Sequence, residues 1–221
     1  MPEEKAWSGC GLSSGAAAGG EASGVPVGRA RPMKPVILTD GTPVTLRHIR
    51  PEDESALTAL YERLSPETSY QRFFTVMRRL PPDWAHILAN VDYDRRMAIV
   101  ALGPSGELIG VARYVHDERA QEAEIAVVIE DRWQGRGLGT RLLGELVGYA
   151  EARGIRRFRA YVLADNLRML KLIGRVTAIL GRKLDSGVVS LLLAPRESRP
   201  PAVESTGSAT RGPEDSPAPG T

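Results

Sequence analysis

The sequence predicts a mixed α/β fold in which a mostly antiparallel sheet carries helices on both faces. Residues 97–129 form three consecutive strand patterns separated by turns, as in an antiparallel meander. Helix starts precede these strands, and helical and strand patterns alternate after them up to residue 193. Helices on either side of a central meander provide cover for both of its faces.

The chain enters this fold through one strand and three short helices. Residues 44–49 alternate apolar and polar side chains, which is typical of a half-buried strand. Pro51 with three acidic residues after it predicts a helix start, because proline fits the first turn and acids suit the positive end of the dipole. Further helix starts are predicted at residues 65–67 and 81–84.

The middle and end of the chain supply most of the sheet. Residues 97–102 stop at a Gly-Pro-Ser-Gly turn signal, so residues 107–116 are predicted to return as the second strand of a hairpin. Four elements follow the third strand at residues 122–129: an amphipathic helix with its apolar face between Leu138 and Ala150, a strand at 156–163, a helix from Asp165 to about Ile173, and a last strand at 188–193.

The two ends of the chain are predicted to be disordered. Residues 1–35 contain seven Gly and four Pro, and residues 196–221 contain five Pro and three Gly. Such segments cannot bury enough apolar surface to offset the entropy lost on ordering. Residues 36–195 are therefore expected to form one domain. We expect the 35 residues before it to be too few and too polar to form a further folded domain.

Composition excludes several functional classes. A net charge of +2 argues against a nucleic-acid binder. No apolar run approaches the ~20 residues of a membrane span, and no secretory signal opens the chain. The single cysteine, Cys10, lies in the arm, which fits a reducing compartment. His48, His86 and His116 lie on separate elements, so no metal site is expected. We expect a cytoplasmic protein, and its oligomeric state stays open.

The most informative stretch is glycine-rich and lies between a strand and the amphipathic helix. Glycines let the backbone approach a ligand, and the first N–H groups of a helix lack partners within it. These features favour a pyrophosphate cradle, with a purely structural turn as the alternative. The spacing G-x-G-x-G matches neither a P-loop nor the dinucleotide fingerprint. The stretch reads Arg132-Trp133-Gln134-Gly135-Arg136-Gly137-Leu138-Gly139-Thr140.

Residues 134–139 match the Q/R-x-x-G-x-G/A signature of the GNAT superfamily of N-acetyltransferases, and the element order over residues 45–193 also resembles that family. The resemblance implies a loop that holds the pyrophosphate of acetyl-CoA, a preceding strand that hydrogen-bonds to the pantetheine arm, and an asparagine at the next helix start that contacts the cofactor. The residues implied are Val127, Val128, Ile129, Gln134, Gly135, Arg136, Gly137, Leu138, Gly139, Thr140 and Asn166.

A narrower resemblance concerns the acceptor. Residues 50–53, 65–74 and 123–126 look most like those of bacterial protein lysine acetyltransferases, which implies transfer of an acetyl group to a lysine. A small-molecule amine acetyltransferase is the close alternative, because residues 65–90 and the last strand would set that choice. A CoA-binding sensor without turnover is an alternative of another class.

Acyl transfer needs a neutral amine, and a lysine with a pKa of ~10.4 is only about one part in 2,500 neutral at pH 7. A positioned general base can accept the proton. Glu124 is the candidate, because it lies in an otherwise apolar strand and close to where family members with a glutamate base carry theirs. A solvent-facing structural role is its alternative. Glu122 shares the same strand face and is the reserve candidate.

The resemblance leaves the general acid unassigned. Many family members place a tyrosine in the last helix, to protonate the departing thiolate. Seven residues after Asn166 this chain has Ile173 instead. Tyr161 on the preceding strand is the nearest hydroxyl, with simple packing as the alternative.

Overall fold

The computed structural model describes residues 32–196, so residues 1–31 and 197–221 of the predicted disordered ends lie outside the described residues. Eight strands are β1 Pro32–Ile37, β2 Pro43–His48, β3 Arg96–Leu102, β4 Leu108–Asp117, β5 Glu122–Ile129, β6 Phe158–Leu163, β7 Thr177–Asp185 and β8 Val188–Pro195. Five helices are α1 Glu54–Glu62, α2 Pro66–Phe73, α3 Pro82–Ala89, α4 Leu138–Glu151 and α5 Leu167–Val176.

All eight strands form one sheet in the order β1-β2-β3-β4-β5-β6-β8-β7. Neighbouring strands are antiparallel except β5 and β6, which are parallel. This confirms the predicted fold class. The central pair β4–β5 is in register along its whole length, from Gly110 opposite Ile129 to Asp117 opposite Glu122.

The helices cover the two faces of the sheet. Buried residues of α1 to α3, including Leu57, Leu60 and Phe73, pack in one cluster with alternate residues of β3 and β4. The apolar face predicted for α4 packs with the opposite residues of the same strands, and Leu142 and Leu146 are fully buried there. No helix within residues 32–196 is long and apolar enough to span a membrane.

Asp53 joins the first helix to the sheet. Its carboxylate accepts hydrogen bonds from both Nη atoms of Arg47 at 2.6 and 2.7 Å, and from the Arg50 backbone N–H at 2.9 Å. Burial alone would raise the pKa of Asp53, but these bonds outweigh it and lower the pKa. The acidic helix start predicted from the sequence therefore includes an ion pair to β2.

Two strands were missed by the sequence analysis, and both lie at edges of the sheet. β1 begins at Pro32, inside the predicted arm, and its prolines are of the kind that edge strands tolerate. β7 is exposed along most of its length, and its pairing with β8 is interrupted by a bulge between Ile179 and Gly181. A strand exposed on both sides shows no alternation of apolar and polar residues, so no pattern marked it.

Candidate active site

The sheet opens between its two parallel strands. The β5–β6 ladder has only the pairs Ala123–Phe158 and Glu124–Arg159. Beyond Glu124, β5 continues to Ile129 in register with β4, while β6 continues in register with β8. The strands therefore diverge, and they leave a gap within the sheet.

A cleft occupies this gap. Helix α2 packs across β5 and β6 on one face, while α4 and α5 supply the opposite wall. The cleft is open to solvent and combines an apolar interior with a few polar side chains, as small-molecule sites commonly do. Its lining residues are Gln71, Arg72, Phe74, Glu124, Ile125, Ala126, Val127, Leu143, Ala160, Tyr161, Val162, Asn166, Met169 and Ile173.

The glycine-rich loop leads from the end of β5 into α4. Gly135 and Gly137 have φ values of 76° and 84°, in the left-handed region that favours glycine. Gly137 is the N-cap residue of α4, so the unpaired N–H groups of residues 138–140 follow it directly. A Cβ on Gly139 would lie 2.3 Å from Leu172 Cδ1, so this glycine also lets α4 pack closely against α5.

Two side chains of the predicted cofactor set fasten the loop. Gln134 Nε2 donates to the Ile129 carbonyl oxygen at 3.0 Å and to Thr68 Oγ1 at 3.1 Å. Arg136 Nη1 pairs with Asp40 at 2.9 Å, and its guanidinium lies 5.0 Å from the centre of the Trp133 ring. The Gln134 side chain therefore holds the end of β5 to α2.

Asp131 anchors α2 beside the loop. Its carboxylate accepts hydrogen bonds from the Ser65 backbone N–H at 2.9 Å, from Ser65 Oγ at 2.6 Å and from Thr68 Oγ1 at 2.7 Å. Partial burial would raise the pKa of Asp131, but the bonds from Ser65 and Thr68 outweigh it and lower the pKa. Sequence reasoning did not find this network, since its members are more than sixty residues apart.

We expect Asp131→Asn to lower the free energy of unfolding by about 1 kcal/mol at neutral pH, because it weakens three hydrogen bonds at an exposed site. The pKa is lowered in the folded state, so this stabilisation is complete above the ordinary aspartate pKa of ~3.9 and is lost as the pH falls through the lower pKa of the folded state. Denaturant unfolding of both proteins should give separate curves at neutral pH, and the separation should shrink as the pH is lowered below ~3.9. An equal separation at neutral and at low pH would contradict the assignment.

The two glutamates of β5 have different surroundings. Glu124 is half-buried and lines the cleft at the point where β5 and β6 diverge. Glu122 is buried, and it binds Arg159 at 2.6 Å and Arg157 at 3.4 Å. Hydrogen bonding to Glu122 raises the pKa of Arg159. Glu122 is therefore engaged in a structural ion pair outside the cleft lining, which makes Glu124 the better placed base.

Asn166 lies where the resemblance implies, at the start of α5. Its Oδ1 caps the helix by accepting the Met169 N–H at 3.0 Å, and its Nδ2 donates to Gln71 Oε1 at 3.2 Å. Val127 lines the cleft, and Val128 and Ile129 continue β5 along the gap. The predicted cofactor residues thus form one continuous region from β5 through the loop to α5.

The position that holds a tyrosine in many family members gives no acid. Ile173 is buried in the core at the floor of the cleft. Tyr161 does line the cleft, on the β6 side. Within the described residues, no group of three or more His, Cys, Asp or Glu side chains could hold a metal ion.

Helix α2 lies in the stretch of residues 65–90 that the sequence analysis assigned to the acceptor side, and three residues of the helix and its C-cap line the cleft. Phe73 is buried in the core, whereas Phe74 lines the cleft in a left-handed conformation with φ 57°. Gln71 and Arg72 line it as well. Nothing in the local sequence shows that this helix reaches a loop some sixty residues later in the chain.

Comparison with known proteins agrees with this geometry. Residues 57–176 match the model of the acetyltransferase (GNAT) family. The chain is 38% identical over 158 residues to Acetyltransferase Pat of Mycolicibacterium smegmatis, which covers 70% of this chain and 46% of that protein. It is 35% identical over 135 residues to Acetyltransferase PA5475 of Pseudomonas aeruginosa, which covers 60% of this chain and 73% of that protein. The chain thus spans about half the length of the M. smegmatis relative.

A solved structure supports the same relationship. The GNAT domain of S. lividans PAT superposes with a TM-score of 0.68 at 34% identity, and the match covers 73% of this chain and 96% of that domain. Because the family model spans more than half of the chain and the fold matches at substantial identity, the chain belongs to the GNAT family of acetyltransferases.

Proposed function

We propose that this acetyltransferase transfers the acetyl group of acetyl-CoA to a primary amine, namely the ε-amine of a protein lysine. Members of the GNAT family use acetyl-CoA. The observation that carries the proposal is the position of Glu124, at the point where β5 and β6 diverge and in the lining of the cleft between them. That arrangement brings a carboxylate and a binding cleft to one place.

The residues present fit acetyl-CoA. The two glycines with positive φ and the start of α4 direct backbone N–H groups outward, which suits a pyrophosphate. Arg136 lies on the same loop and can add a charge-assisted hydrogen bond. The edge of β5 beside the gap suits the amide groups of the pantetheine arm. Acetyl-CoA supplies a thioester, which is the activated acyl group of the reaction.

Glu124 is proposed to prepare the nucleophile. Its carboxylate attracts the ammonium group of an incoming lysine and accepts a proton from it, directly or through water. The neutral amine then attacks the thioester carbon.

A lysine acceptor is favoured over a small amine by two considerations. The cleft is partly open to solvent, so a side chain on a protein surface can reach it. The relative in M. smegmatis and the domain from S. lividans also carry the name Pat, in agreement with the resemblance noted from residues 65–74.

The test is a comparison of acceptors. Purified protein is incubated with acetyl-CoA and with lysine peptides, folded proteins, polyamines or free amino acids, and released thiol is measured. We expect release that depends on a lysine-containing protein or peptide, with acetyl-lysine identified by mass spectrometry. Faster turnover of a polyamine or a free amino acid would show that the acceptor is a small amine and not a protein lysine. If the protein binds acetyl-CoA but releases no thiol with any acceptor, the result would favour a CoA-binding sensor without turnover.

A further inference from the structure

We propose that Arg72 is a further catalytic residue, which stabilises the negative charge that develops on the thioester oxygen and the departing thiolate. The inference rests on the proposed acetyl transfer, and it assigns a residue to the step for which the sequence offered no general acid. Its basis is the position of Arg72 among the residues that line the cleft.

Arg72 is held in the cleft by the packing of α2. Its guanidinium carbon lies 4.9 Å from the centre of the Phe73 ring, and Phe73 is only 1% exposed. The helix itself is fixed to the end of β5 through Asp131 and Gln134. Arg72 is therefore a half-buried side chain on an anchored element.

No carboxylate within residues 32–196 forms an ion pair with Arg72. Other partly buried arginines, such as Arg47 and Arg159, bind acidic side chains. Among the residues that line the cleft, Arg72 alone carries a positive charge. A partly desolvated cation without a counterion is well suited to a charge that appears only during the reaction.

The proposed step creates such a charge. Glu124 first takes one proton from the lysine ammonium group. As the neutral amine nitrogen bonds to the carbonyl carbon, one C=O electron pair moves onto oxygen. The nitrogen then loses its second proton to water, the electron pair on oxygen re-forms the C=O bond, and the C–S bond breaks with its electron pair leaving on sulfur. The products are an amide and a thiolate, which solvent protonates later. Arg72 donates N–H bonds to the developing anion and does not itself transfer a proton, since its guanidinium stays protonated in proteins.

This role differs from acid catalysis in its dependence on pH. An acid such as Tyr161 would lose its proton at high pH, and kcat would fall. A guanidinium gives no such fall below about pH 10. The pH profile therefore separates Arg72 from the Tyr161 hydroxyl on β6.

The experiment compares Arg72→Gln and Arg72→Ala with Arg78→Gln and Arg78→Ala. Arg78 is exposed and lies outside the cleft lining. We expect the Arg72 variants to lose about 10- to 50-fold in kcat, less than a fully buried donor because solvent screens the site, with KM for acetyl-CoA and for the acceptor unchanged within about threefold. Millimolar guanidinium ion should restore part of the kcat of Arg72→Ala, and the Arg78 variants should match the wild type.

Several results would overturn the inference. They are an unchanged kcat in Arg72→Gln, a loss confined to the KM of the acceptor, or a loss that follows a lower melting temperature and does not respond to guanidinium. An alkaline fall in the wild-type kcat that disappears in Tyr161→Phe would transfer the role to Tyr161. A wild type that releases no thiol with any acceptor refutes the proposed function itself, and Arg72 then has no reaction to assist.

Discussion

Replacement of Glu124 by glutamine is expected to lower kcat by about 10³-fold, within the range of 10²–10⁴ typical of a lost general base. The amide keeps the size of the side chain but cannot accept the proton of the ammonium group. KM for acetyl-CoA should change little, because the glycine-rich loop lies at the other end of β5. Steady-state kinetics with a lysine peptide, in parallel with melting temperatures, measure the effect.

Glu122→Gln is the matched control on the same strand. It breaks the ion pair with Arg159 and Arg157, so it should lower the melting temperature more than Glu124→Gln does. Its kcat should stay within about fivefold of the wild type, the scale of an indirect effect. Similar losses of kcat in both variants, or no loss in Glu124→Gln, would remove Glu124 from the role of base.

Gly137→Val is expected to raise KM for acetyl-CoA by about 10²-fold. An L residue in the left-handed region costs roughly 1–2 kcal/mol, and a β-branched one costs more, so the loop should move away from its φ of 84°. A Cβ at this position would also lie 3.2 Å from Thr39 Cγ2. Loss of one or two hydrogen bonds from backbone N–H groups to a charged phosphate, at about 1.5–3 kcal/mol each, accounts for the expected rise in KM.

Gly144→Val provides the control in the same helix. A Cβ at Gly144 meets no atom within 4 Å, and its φ is not in the left-handed region. We expect a KM close to that of the wild type and an equal or higher melting temperature, because valine suits a helix better than glycine does. Equal effects of the two substitutions on acetyl-CoA binding, measured by calorimetry, would show that the loop does not hold the cofactor.

The sequence predicted those parts of the fold in which apolar residues recur with the period of a strand or a helix. The strands from residue 97 to 129 and helix α4 alternate or repeat because each buries one face or stripe, and they were confirmed. β7 escaped prediction since it is exposed along most of its length and receives no such pattern, and β1 begins within a Pro-containing stretch that was assigned to the arm. The parallel pairing of β5 with β6 follows from long-range packing, which no local run of residues records.

The candidate site likewise has one part that local sequence signals indicate and another part that depends on long-range contacts. The loop at residues 134–140 and Glu124 were selected from local signals, namely glycine spacing and a charge within an apolar strand, and their roles stay predictions. Residues 65–90 were expected to set the choice of acceptor, but no local pattern records the bonds of Thr68 to Asp131 and Gln134 that hold α2 beside the cleft. Those bonds join residues on either side of the whole β3–β5 meander.

The two-pair ladder between β5 and β6 also affects the solubility of the protein. Unpaired strand edges normally invite association with other chains, and proteins protect them by covering or shortening them. Here the divergence creates an additional edge in the interior of the sheet, along residues 125–129. Helix α2 packs across β5 and β6 on one face, and residues of α5 line the cleft beside this edge, so the edge is covered in the way that such edges require. The fold thereby keeps a strand available for recognition without the hazard of aggregation.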